Sequence, residues 1–268
     1  MAASPFVLTS AEGLPIRGDV HGPRAAGAPV IVCVHGFKGF KDWGFFPWLS
    51  EHLCRRFVVC RFNMSRSGIG ENPESFDRLD LFAEDTYSTQ VADLTTVTRH
   101  MQATFRDLPT FLLGHSRGGG VALLAAEEIE GLKGVVTWSA IARVDRWDDE
   151  TKRKWRADGF LDAVNARTGQ VMRMSPAVLD DYEANRERLD ILGATRRLSV
   201  PLLVVHGSRD ESVPVKEADE IAAAASDVSI VKIPRASHTY NAIHPLVHVP
   251  VELSLAAEVT ARFIAAYD

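Results

Sequence analysis

The feature that most constrains this chain is a rhythm, in which short apolar, β-branched runs alternate with longer segments of helical period. The runs fall at residues 30–34, 57–62, 110–113, 135–138, 201–205 and 228–233. Between them, helices are expected over residues 46–55, 84–105 and 118–129, with a last one over 251–267. In the second of these, Val91, Leu94, Met101 and Phe105 share one face. This alternation is the signature of a mostly parallel sheet covered by helices. An antiparallel hairpin precedes it, with strands at 6–8 and 16–20 around Glu12-Gly13-Leu14-Pro15. The sum is eight strands. Residues 63–79, rich in Ser, Gly, Asn and Pro, read as a loop.

One stretch breaks the rhythm. Roughly sixty residues separate the strand ending at Trp138 from the one starting at Pro201, far more than a crossover needs. Charges crowd this stretch (Asp145, Arg146, Asp148, Asp149, Glu150, Lys152, Arg153, Lys154), interleaved with Trp147, Trp155, Phe160, Met172 and Met174. A solvated helix face explains the charges. The Trp and Met side chains need something apolar to cover, and a helical lid over about residues 140–195 supplies it. The expected organisation is one domain over residues 1–268 with that lid inserted after the sixth strand.

Gly114-His115-Ser116-Arg117-Gly118 fits the pattern G-x-S-x-G. By chance the pattern turns up in roughly one chain in ten of this length, so its setting decides. It lies directly between a strand and an apolar helix, where a nucleophile elbow would stand. Such a turn strains the serine backbone, and the flanking glycines remove side chains that would collide. Ser116 is therefore the candidate nucleophile, and the Arg117 N–H at the helix start is a candidate donor to a developing negative charge. His35-Gly36-Phe37 follows the strand at 30–34, at the carboxyl end where ligands bind in open parallel sheets. The Phe37 N–H is the natural second donor; the two side chains are incidental to this role.

Asp210 follows the strand at 201–205, and His238 follows the last strand in Ala236-Ser-His-Thr-Tyr-Asn241. The chain order Ser, Asp, His favours Asp210 as the acid and His238 as the base. Asp145 and Glu211 compete for the first role, and His244 and His248 for the second. His35, His115 and His206 read as structural hydrogen-bonders. Attack by such a serine needs a neutral imidazole, so its rate falls at acid pH.

Taken together, His35-Gly36-Phe37, Gly114 to Gly119, His206-Gly207 through Asp210 with Val213-Pro214, and Ser237-His238-Thr239 resemble the α/β-hydrolase superfamily. Within it the chain is similar to the esterase, dienelactone-hydrolase and serine-aminopeptidase-like group, with a feruloyl or cinnamoyl esterase layout. The resemblance implies the α/β-hydrolase fold and acyl transfer on carboxylic esters of modest size, with no metal or organic cofactor. Peptidase, amidase or thioesterase action uses the same triad and stays open, as do cofactor-free C–C bond hydrolysis, haloperoxidase-like activity and a non-catalytic binding role. Dehalogenases and epoxide hydrolases of this fold use a carboxylate nucleophile, against which Ser116 speaks. Two departures stand out. Many relatives carry D-x-x-G-x-G after the fourth strand, where this chain has Arg61-Phe-Asn-Met-Ser-Arg-Ser-Gly-Ile-Gly70. The oxyanion loop reads His-Gly-Phe-Lys-Gly-Phe-Lys rather than HGGG.

Composition narrows the partners. A net charge of -5 gives no basic field of the kind that binds nucleic acid, and no apolar run is long enough to span a bilayer. The charges of the lid also weaken an interfacial role with lipid substrates. Cys33, Cys54 and Cys60 fit neither a disulfide framework nor a metal site, and the N-terminal residues show no secretory pattern. A small-molecule ester substrate and a cytoplasmic location are the expectations, with monomer and homodimer equally open.

Overall fold

The computed structural model, which describes residues 3–22, 27–165 and 167–267, converts the strand–helix rhythm into an eight-stranded sheet. The chain enters through β1 (Ser4–Thr9) and β2 (Pro15–His21), paired antiparallel. Then come β3 (Val30–Val34), α1 (Phe46–Leu53), β4 (Val58–Phe62), α2 (Leu79–Ala83), α3 (Tyr87–Thr104), β5 (Thr110–His115), α4 (Arg117–Ala126) and β6 (Leu132–Trp138). The insertion carries α5 (Asp149–Asp158), β7 (Leu161–Val164), β8 (Val171–Met174), α6 (Ala177–Ala184) and α7 (Ile191–Arg197). Last are β9 (Leu202–Gly207), α8 (Val215–Ala224), β10 (Val228–Ile233) and α9 (Val251–Ala266). The sheet runs β1-β2-β4-β3-β5-β6-β9-β10, antiparallel as far as β4 and parallel from there on. This is the α/β-hydrolase fold.

Alternation along the central strands sorts the core into two layers. Val30, Val32 and Val34 of β3 face α3 and α4 and pack with Val91, Leu94, Val121 and Leu124. Ile31 and Cys33 face the other way, toward Phe46 and Leu49 of α1 and Leu253 and Ala257 of α9. β3 and β5 are neighbours in the middle of the sheet and are buried at every position, so their carboxyl ends are firmly held. All three cysteines are buried free thiols. Among the described residues, no helix is long and apolar enough to cross a membrane.

The insertion differs from the all-helical lid expected. Residues of β8 alternate between exposed and buried positions and those of β7 between exposed and half-buried ones, and the two strands pair as an antiparallel hairpin, a period of two within a stretch otherwise helical. Trp155, Met172 and Met174 do bury apolar surface, against Phe40 and Phe76 from the loops beyond β3 and β4 and Phe82 of α2. The Trp155 indole N–H also donates to the Met174 carbonyl at 2.8 Å. The helix expected from Glu84 starts later, because Thr86 caps α3 by accepting the Thr89 N–H. The short α2 lies before that break, and α8 fills a crossover that the sequence reading left blank.

A buried ion network fastens the loop beyond β3. Asp19 on β2 accepts from Arg61 Nε at 3.0 Å and Lys41 Nζ at 2.7 Å, with His21 Nε2 2.6 Å away. Arg61 also donates to the Lys41 carbonyl, and the Lys41 N–H donates to Asn63. Burial alone would push the Asp19 carboxyl up. The bonds from His21 and Lys41 and the Arg61 charge outweigh it and hold the group well below the usual carboxylate range. Removing one member of such a buried set leaves the others unpaired. Asp19→Asn should therefore lower stability by about 3 kcal/mol, measured by urea unfolding at neutral pH. A loss under about 0.5 kcal/mol, the range of ordinary surface changes, would show that the network is not what holds this loop.

Candidate active site

β5 ends at His115, and the chain then reverses into α4 through Ser116 at φ 57, ψ -122. A side chain seldom occupies that region, and holding one there costs on the order of 1–3 kcal/mol. The surroundings fix it. The Ser116 N–H donates to the Trp138 carbonyl at 2.8 Å, and the Ser116 carbonyl accepts from Gly119 at 3.0 Å. Two close approaches explain two glycines. A Cβ on Gly118 would run into the His35 carbonyl, and one on Gly36 would come within 2.9 Å of Ser116 Cβ. The loop after β3 is thereby pressed against the serine.

The turn aims Ser116 Oγ at His238, whose Nε2 lies 3.0 Å away. On the far side of that ring, Nδ1 lies 2.8 and 3.0 Å from the two Asp210 carboxylate oxygens. Asp210 Oδ1 also accepts the N–H groups of Ser212 and Val213, at 2.9 and 2.8 Å, and His206 Nε2 stands 3.2 Å from Oδ2. Burial disfavours the charge on Asp210. Hydrogen bonds from His206 and His238 more than offset it, and the carboxyl stays well below its ordinary range. An ionised carboxylate only accepts, so His238 carries its proton on Nδ1 and turns the Nε2 lone pair to the serine hydroxyl.

The competing residues are engaged elsewhere. Asp145 pairs with Lys152 Nζ at 2.6 Å, and Glu211 accepts the His238 backbone N–H at 3.4 Å. His244 Nδ1 accepts the Gly44 N–H at 2.8 Å and its ring stacks on Trp43, while His248 is exposed. His35 and His115 are structural. His35 Nε2 accepts the Met64 N–H and its Nδ1–H donates to the Gly36 carbonyl, with burial driving the pKa down to about 4. His115 Nε2–H donates to the His238 carbonyl at 3.0 Å, tying the elbow to the loop that carries His238. Burial, then the neighbouring His238, brings its pKa down to about 3. Both rings are neutral at working pH.

Phe37 and Arg117 stand at either side of Ser116, the one just past β3 and the other at the first position of α4. Among the described residues, neither N–H donates to another protein group. Their side chains meet as well: the Arg117 guanidinium lies 4.2 Å from the Phe37 ring centroid. Behind it stands Asp85, which spacing could not associate with the elbow, since the contact depends on where α3 packs.

Comparison with known proteins agrees with this architecture. The model of the Alpha/beta hydrolase family matches residues 31–251. A curated relative, 2,6-dihydropseudooxynicotine hydrolase of Paenarthrobacter nicotinovorans, is 25% identical over 215 residues, covering 78% of this chain and 52% of that protein. The chain thus spans about half the length of that relative. Est1E from Butyrivibrio proteoclasticus, solved with ferulic acid bound, superposes with a TM-score of 0.76 at 19% identity over 98% of each chain. The esterase domain of a Rhodothermus marinus protein gives 0.70 at 20% identity, over 100% of this chain and 99% of that one. At such identities the structural likeness speaks for the fold.

Asp85 supplies a test of the electrostatics behind the elbow. Burial raises its pKa to about 7, against the opposing pull of the Arg117 charge and a bond from Gln90; Asp93 pushes the same way as burial, and Arg66 the other. A carboxyl raised on folding binds its proton more tightly in the native chain. Its contribution to stability is full below the unfolded value, about pH 4, and is lost as pH climbs to about 7. The stability of Asp85→Asn relative to wild type should therefore improve steadily from pH 5 to 7.5, read from urea unfolding at several pH values. A difference independent of pH would mean that Asp85 is ionised throughout.

Proposed function

The chain belongs to the alpha/beta hydrolase family, and we propose that it is a serine hydrolase that cleaves carboxylic esters of modest size through an acyl-enzyme. The observation that carries this reading is the continuous line from Ser116 Oγ through His238 to Asp210, with gaps of 3.0 and 2.8 Å. In the first step Ser116 Oγ bonds to the ester carbonyl carbon while His238 Nε2 takes the hydroxyl proton. Asp210 stabilises the imidazolium, and the Phe37 and Arg117 N–H groups hold the oxyanion. Collapse expels the alcohol, which takes the proton from Nε2. Water then gives a proton to Nε2 and attacks the acyl carbon, and Ser116 leaves with that proton as the acid is released. Every proton is accounted for by one imidazole.

The insertion acts as a lid in this reading. It buries Trp155, Met172 and Met174 on a cluster whose half-buried edge includes Trp43 and Trp147. These rings suit the apolar part of a small ester, and the ferulic acid bound to Est1E, an aromatic carboxylic acid, has the form of the acid half of such an ester on a chain of the same fold. Catalytic residues and lid then belong to one functional unit.

The test is hydrolysis of p-nitrophenyl esters from acetate to long chains, with Ser116→Ala and Asp210→Asn in parallel. Loss of the serine should cost on the order of 10⁴–10⁶ in kcat, and loss of the aspartate about 10⁴. Short and medium chains should be the best substrates. Turnover of matched anilides but not esters would move the activity to amides. Wild-type activity that survives Ser116→Ala would remove the serine from the mechanism.

A further inference from the structure

Both proposed oxyanion donors are backbone N–H groups, so their aim depends on what holds Phe37 and Arg117. We propose that the Arg117 guanidinium is the positioning group that locks the two donors to each other; the proposal rests on the serine acyl-transfer reading above. The Arg117 side chain is only 6% exposed and does not reach for solvent. It lies 4.2 Å from the Phe37 ring centroid and 4.7 Å from that of Tyr87, a cation held against two aromatic rings. Its Nη1 is 3.6 Å from Asp85 Oδ2, and that oxygen accepts from Gln90 Nε2 at 2.6 Å. The Phe37 ring stacks in addition on Phe82, with centroids 5.5 Å apart and planes at 29°. One residue thus offers the first donor from its backbone and grips the residue of the second donor with its side chain.

The physical consequence concerns geometry rather than charge. A tetrahedral oxyanion needs both donors about 2.7–3.1 Å from one point. The loop after β3 can shift away from α4 only by sliding Phe37 off the guanidinium. Arginine fits this role because its planar, weakly hydrated head stacks on rings. The lysine head, a compact hydrated point charge, has no plane to lay against a ring. The stack engages Phe37 whether or not substrate is present, so its loss should appear where the oxyanion forms and not in ground-state binding.

The experiment compares Arg117→Met, Arg117→Lys, Phe37→Leu and the Phe37→Leu/Arg117→Met pair with wild type on p-nitrophenyl butyrate. The affinity of an alkylboronic acid, which forms a tetrahedral adduct on serine, is measured alongside. Arg117→Met should lower kcat by about 10- to 100-fold with KM within about twofold, and weaken the boronate in parallel. Arg117→Lys should not restore the rate. The double variant should be no slower than the slower single by more than about twofold, since both substitutions break one contact. The proposal is overturned if Arg117→Met only lowers the melting temperature while kcat and boronate affinity stay within twofold, or if the two losses multiply. Should Arg117→Met fail to fold, Phe37→Leu and Arg117→Lys carry the same comparison. Ser116→Ala separates the two levels. A dead Ser116→Ala with an unaffected Arg117→Met sinks the clamp alone, whereas an active Ser116→Ala sinks the serine reading beneath it.

Discussion

The site hangs from one backbone conformation, Ser116 at φ 57, ψ -122, between the end of β5 and the start of α4. Left to itself that turn would relax, because the conformation is costly for any residue with a Cβ. It is held by elements that are themselves buried and hydrogen-bonded on both sides. β5 is buried along its whole length between β3 and β6, and the Ser116 N–H and carbonyl are bonded to β6 and α4. The gain from burying the central strands is spent, in part, on keeping a serine in an unfavourable shape. The strain also aims the hydroxyl, for a relaxed turn would direct the same side chain elsewhere.

Around that point, burial and hydrogen bonding sort the ionisable groups by opposite outcomes. His35 and His115 are buried with few compensating acceptors, so they lose their charge and become neutral spacers with one donor and one acceptor each. Asp210 is equally shielded, but two backbone N–H groups and two imidazoles surround it, and it keeps its charge. Asp85 lies between these cases. Its cation stands 3.6 Å off and is shared with two aromatic rings, which is too little to cancel the cost of burial. Residue types alone would not distinguish these four groups; the count and distance of donors does.

How much of this could be read in the sequence follows from the range of the forces involved. The central strands and the major helices were legible because periods of 2 and 3.6 are local signals, and the sheet turned Val30 and Ile31 to opposite faces as alternation requires. That Ser116, Asp210 and His238 come together was legible because the fold places each just past a strand end, so that order along the chain becomes proximity in space. The β7–β8 hairpin was missed since four residues of alternation vanish in a charged stretch. The break before α3 was missed since Thr86 reads equally well as a helix interior. The side chains of Arg117 and Phe37 were dismissed because their backbones explained them already. Nothing short of the packing of α3 against α4 brings Asp85 and Tyr87 to the same guanidinium.

Packing also explains why the loop after β3 departs from the glycine-rich form. Between Gly36 and Gly44 the chain touches nearly every distant part of the site. Gly36 abuts Ser116, and Lys38 Nζ donates to the Val164 carbonyl of the inserted hairpin at 2.8 Å. Lys41 enters the Asp19–Arg61 network, and Gly44 donates to His244 on the loop that carries His238. A loop of glycines would offer backbone donors but no grips. In this chain, Phe37, Lys38 and Lys41 each reach a different element, and Arg61, near the end of β4, answers the Lys41 end. The loop trades conformational freedom for side-chain and backbone anchors that tie it to the inserted hairpin, to β2 and to the loop that carries His238.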